Sequence, residues 1–144
     1  MYRELASDQP ASFNPVLALS LNNLSNRLSD LGRRDDALTA IQEAVELYRN
    51  LAADRSAAFN PDLAMSLNNL SNRLSDLGRR EDALTAIQEA VELRRQLAAD
   101  RPAIFNLYLA MSLDDLSTCL SDVDRLEEAG KAAQEAVVAR TSGI

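Results

Sequence analysis

Leu63, Leu67, Leu70, Leu74 and Leu77 fall three or four residues apart, and the positions between them are mainly Asn, Ser, Arg and Asp. In a helix turning once per about 3.6 residues this spacing lines the leucines along one side, so it predicts an amphipathic helix over 61–77. Asn60 suits the N-cap, and Pro61 suits the first helical position, where its missing N–H costs nothing. Asn14 and Pro15 repeat that signal; Asn106 and Leu107 keep the cap without the proline. Gly78 predicts a left-handed C-cap, followed by a very short Arg79–Arg80 link. A second apolar series, Ala83, Leu84, Ile87, Val91 and Leu93, predicts a helix over 81–99. Glu81 and Asp82 in its first turn and Arg94 and Arg95 further along suit the helix dipole. A link this short makes the two helices antiparallel. Residues 100–106 are expected to form the turn into the next pair.

The pattern recurs without gaps. Residues 2–47 and 48–93 agree at 38 of 46 positions, and 48–93 and 94–139 agree at 27. Copies this faithful imply one structural unit stacked in tandem, because an insertion would spoil the packing between neighbours. The sequence therefore predicts an all-α fold, an α-solenoid of three helix–turn–helix units within one domain, 1–144.

Composition narrows the chemistry. The chain has 144 residues, 15 Lys and Arg against 22 Asp and Glu, no His and a single Cys. A net charge of −7 argues against non-specific binding to nucleic acid or anionic lipid, which requires clustered basic residues. Without His the commonest general base is absent, and the many Ser residues have nothing to activate them. Cys119 stands where the other units carry Arg27 and Arg73, and it is expected to be an inert thiol. Asp122, Asp124, Glu127 and Glu128 lack the spacing of a calcium loop and read as an acidic helix end. No catalytic residue, cofactor or metal site is expected. With no long apolar run and no secretory leader pattern, the expectation is a cytoplasmic, non-enzymatic protein without a membrane partner.

Leu67, Leu70, Ser71, Leu74, Gly78, Ala83, Ile87 and Ala90 stand at the spacings of the tetratricopeptide repeat pattern, which the sequence resembles over essentially its whole length. The first unit matches with Leu21, Leu24, Ser25, Leu28, Gly32, Ala37, Ile41 and Ala44. The third matches with Leu113, Leu116, Ser117, Leu120, Ala129, Ala133 and Ala136, and has Asp124 in place of the glycine. Leu and Ile fill the family's aromatic positions, and the 46-residue unit exceeds the family's 34. The long unit and the recurring Leu-Asn-Asn-Leu most resemble the kinesin-light-chain-like class. The resemblance implies a right-handed superhelix with the first helix of each pair lining a concave face.

In that class, asparagines on the concave face grip the backbone of an extended peptide, since an amide offers both a donor and an acceptor. Carried over by motif, the peptide-binding residues are Asn22, Asn23, Asn26, Asn68, Asn69 and Asn72, continued by Asp114, Asp115 and Thr118 in the third unit. The alternative is that the asparagines satisfy one another and fix helix packing. Asp114 and Asp115, with Asp30, Asp76 and Asp122, would make one end of the groove acidic and favour a basic protein or peptide partner. The implied function is a protein-interaction scaffold. Two other readings stay open, an architectural or oligomerisation module without a peptide ligand and the sensor segment of a larger signalling protein.

The ends carry their own expectation. Residues 2–8, YRELASD, match 48–54, YRNLAAD, the tail of a second helix, which suggests a segment of a longer or trimmed array. In the last helix Gly130 and Ala133 replace Leu84 and Ile87. Uncovered apolar ends predict a homo-oligomer formed by end-to-end packing or helix exchange.

Overall fold

The computed structural model describes residues 10–142, with side chains from residue 14 onward; the matching segment 2–8 lies outside the described residues. Six helices follow one another: α1 (Pro10–Asp30), α2 (Arg34–Asp54), α3 (Ser56–Asp76), α4 (Arg80–Asp100), α5 (Pro102–Asp122) and α6 (Leu126–Ser142). No strand occurs among the described residues. Each helix packs on its neighbours in sequence, and α1 also touches α3, so the molecule is an all-α repeat solenoid.

Three equivalent turns separate the helices of each pair. Gly32 and Gly78 adopt φ of +77° and +75°, and Asp124 takes the same left-handed conformation at +63°. In each turn the residue after the left-handed one donates its N–H back to a leucine carbonyl. Arg33 bonds Leu28, Arg79 bonds Leu74 and Arg125 bonds Leu120, at 2.8–2.9 Å. This six-to-one closure satisfies the last carbonyls of the first helix and reverses the chain in three residues. A serine then ties the pair together from within. The hydroxyls of Ser25, Ser71 and Ser117 donate to the carbonyls of Ala37, Ala83 and Ala129 at 2.6–2.8 Å.

Between pairs the structure departs from expectation. The chain breaks at one non-helical residue, Arg55 or Arg101, and the next helix starts at once. Asn60 and Asn106 are therefore not N-caps, and Pro61 lies inside α3. A proline there removes the N–H that would bond the carbonyl four residues back. That carbonyl belongs to Ala57, an exposed residue in the first turn, where a missing helical bond costs least. The helix start expected at Asn60-Pro61 lies five residues upstream, at Ser56, and its N-cap is Arg55, which makes no side-chain cap bond.

The core is a line of interfaces. Leu67, Ile87 and Leu113 are fully buried, as are the small residues Ala44, Ala64, Ala90, Ala110 and Ala136 that let helices approach closely. On the outer side, bidentate ion pairs join successive second helices, Arg49 with Glu89 and Arg95 with Glu135. Both pairs span the same register, one unit apart.

Candidate functional site

The first helices, α1, α3 and α5, lie side by side and carry the asparagine ladder. Asn22 is only 2% exposed. Its Oδ1 accepts from the Ser66 hydroxyl at 3.3 Å and from the Asn69 amide at 3.0 Å. One unit further on the same arrangement returns. The Asn68 Oδ1 accepts from Ser112 at 2.9 Å, and its amide donates to Asp115 at 2.9 Å. Asn22 thus bonds Asn69 and Ser66 on α3, and Asn68 bonds Asp115 and Ser112 on α5. A buried amide needs such partners, since leaving one unmade costs about 1–3 kcal/mol.

The other ladder residues are placed differently. Asn23 and Asn26 are exposed, and Asn72 is half-buried without a side-chain hydrogen bond among the described residues. Only a long 3.5 Å contact from Arg73 reaches Asn26. Thr118 is exposed, and its hydroxyl donates to the Asp114 carbonyl of its own helix at 3.2 Å. Asp114 forms an ion pair with Arg140 of α6, so its charge is answered within the molecule. Asp30, Asp76 and Asp122 stay exposed at the C-terminal ends of the three helices.

At the opposite ends of these helices the face turns apolar. Val16 and Leu19 on α1, and Leu107, Tyr108 and Met111 on α5, are exposed. Between α3, α4 and α5 a pocket of about 300 Å³ opens, its walls including Met65, Leu97, Ile104, Phe105 and Tyr108 together with Arg94. Sequence reasoning did not single out Ser66 or Ser112, and it read Arg94 only as a match to the helix dipole. The signal for the two serines was their recurrence, with Ser20, at one position of every unit; for Arg94 it was the loss of the tyrosine found at 48.

The electrostatics agree with this geometry. The Tyr48 phenol is raised from 10.0 to about 12, chiefly by burial and secondly by the nearby Asp62 carboxylate. Burial also raises the Asp62 carboxyl above its usual range. The Cys119 thiol, buried and 3.6 Å from the Ser71 hydroxyl, is pushed up by burial, which disfavours the thiolate. Among the described residues no group of His, Cys, Asp and Glu is placed to hold a metal ion, and no helix is long and apolar enough to cross a membrane.

A family model described as tetratricopeptide repeat matches residues 17–56 and 63–101, more than half of the chain. The chain belongs to the tetratricopeptide repeat family. Proteins built from tetratricopeptide repeats generally mediate protein–protein interaction and scaffolding, and the fold is typically non-enzymatic. A second model, described as anaphase-promoting complex subunit 5, matches residues 101–141. Among solved structures, the crystal structure of MamA is similar to this tetratricopeptide chain at 15% identity, covering 98% of it and 85% of MamA, with a TM-score of 0.44. No curated protein matches the chain.

Proposed function

We propose that this protein is a non-enzymatic interaction scaffold that takes an extended peptide across the face of α1, α3 and α5. The observation that carries the reading is the division within the ladder. Asn22 and Asn68 are consumed by packing, whereas Asn23, Asn26 and Asn72 present amides with no strong partner on the same face. Asn is a poor helix former, so amides held on an exposed helical surface favour an external partner for their donor and acceptor. Exposed Asp30 and Asp122 favour a basic residue at one end of that peptide, while Asp76 between them already pairs with Arg73 at 3.4 Å.

The test is selection from a random peptide display on the full chain, followed by affinity measurement on the enriched peptides. Replacing Asn23, Asn26 and Asn72 by Ala is expected to weaken binding by at least about tenfold, some 1.4 kcal/mol, with unchanged helicity. Asn22→Ala, by contrast, is expected to lower stability by about 1–3 kcal/mol, because it strands two donors. No enrichment, or binding indifferent to the triple variant, would overturn the groove.

Self-association is the second reading. It is favoured by Leu24 and Leu31 on α1 and by Val137 and Val138 on α6, exposed on the first and last described helices. Light scattering decides it: mass should rise with concentration, and a strict monomer at every concentration would rule it out.

A further inference from the structure

Equivalent positions of the three first helices form parallel lanes, each crossing α1, α3 and α5 at one height. Leu19, Met65 and Met111 make an apolar lane, with Pro15, Pro61 and Leu107 one turn nearer the helix starts. Leu19, Leu107 and Met111 are exposed, and Met65 is half-buried. Asp30, Asp76 and Asp122, the last residues of the three helices, make an acidic lane. Leu19, Asn23, Asn26 and Asp30 follow one another at four, three and four residues, so they share one side of α1. Leu19 and Asp30 are eleven residues apart, about 16 Å of helix, and the two amides lie midway, about 8 Å from each lane.

A carboxylate at a helix C-terminus meets the negative end of the helix dipole, where a cation would be favourable. Every unit carries that cost at the same position. On α1 and α3 a basic residue stands in the last turn, Arg27 and Arg73, and Arg73 pairs with Asp76 at 3.4 Å. In α5 Cys119 takes that position, and the last turn holds no basic residue. Arg33, Arg79 and Arg125 in the turns beyond pair with Asp36, Asp82 and Glu128 instead. Asp30 and Asp122 are exposed and make no ion pair among the described residues.

We infer that this face takes a strand whose residues alternate between large apolar and basic. Its backbone lies on the amides, its apolar side chains over Leu19, Met65 and Met111, and its Lys or Arg side chains over Asp30 and Asp122. The inference rests on the peptide-binding reading above and names the chemistry of the peptide. Consecutive side chains of an extended chain point to opposite sides, so a strand running between the lanes offers every second residue to each. A helix satisfies its own backbone groups and leaves none for Asn23, Asn26 and Asn72. Charge complementarity selects the basic set, because the two unpaired acids lie on one side of the amides. On the other side stand the apolar residues, beside the half-buried Asp62.

The experiment measures fluorescence polarisation of labelled peptides on the full chain, each holding three Leu and three Lys between Gly-Ser flanks. The alternating order should bind at least about tenfold more tightly than a Leu block followed by a Lys block, and than the alternating peptide with Glu in place of Lys. Asp30→Asn combined with Asp122→Asn should weaken the alternating peptide by at least about tenfold and flatten its salt dependence. That variant should fold, since it removes an unfavourable charge from two helix C-termini. Asp54→Asn combined with Asp100→Asn makes the same change in net charge at exposed sites on the ends of α2 and α4, and should leave binding unchanged. Met111→Ser should weaken the Leu–Lys peptide and leave an alternating Ser–Lys peptide unaffected. Equal affinity for the alternating and block orders, tighter binding when the Leu residues are spaced three and four apart as on a helix, or full affinity in the folded Asp30, Asp122 variant would overturn the inference. If these occur while the Asn23, Asn26 and Asn72 variant still loses displayed peptides, the groove stands and the alternation falls.

Discussion

Asp124 bears the strain that Gly32 and Gly78 avoid. Its φ of +63° places a Cβ-bearing residue in the left-handed region, which costs about 1–2 kcal/mol relative to glycine. Asp124→Gly restores the residue that the other two turns use, and it is expected to raise stability by about 1 kcal/mol in urea unfolding. An unchanged or lowered midpoint would mean that the Asp124 side chain offsets its own strain. The ladder teaches a related lesson. Asn22 and Asn23 are adjacent and identical in type, yet one is buried with two donors on its oxygen and the other faces solvent. Residue type alone could not divide them, because the division depends on which helix side the next unit covers.

At the scale of elements, packing and ion pairs make unequal contributions. Leu67 on α3 is fully buried, whereas the Arg49–Glu89 pair between α2 and α4 keeps 47% and 37% of its side chains in solvent. Leu67→Ala is expected to cost about 2–5 kcal/mol, and the double change Arg49→Ala with Glu89→Ala less than about 1 kcal/mol. Denaturant titration of both variants checks the order; a larger loss from the ion pair would reverse this account of what joins the units. The turns within each pair were legible, since Gly32 and Gly78 announce a left-handed closure. The connections between pairs were not. Asn60-Pro61 reads as a helix start, but the chain breaks at Arg55 and the next helix begins at Ser56, upstream of the proline; one unit on, Arg101 breaks the chain and the helix begins at Pro102. Packing of Phe59 and Phe105 against the core holds that first turn, and local propensity does not report such a contact.

For the whole molecule, stability of a linear stack is a sum of neighbour interfaces, so the unit with the thinnest apolar face should open first. The buried residues of α6 are Ala129, Ala132, Ala136 and Ala139, whereas α4 also buries Leu84, Ile87 and Val91. Hydrogen exchange is expected to protect α6 least and α4 most; uniform protection along the chain would show instead a single cooperative unit. The sequence by itself determined the helices, their pairing, the glycine turns and the tandem stack, because these follow from apolar spacing and an uninterrupted repeat of 46 residues. Only the tertiary structure decided which amides face solvent and where one unit meets the next. Those outcomes depend on contacts between residues 12 to 48 positions apart, and identical copies in sequence become unequal once each has different neighbours.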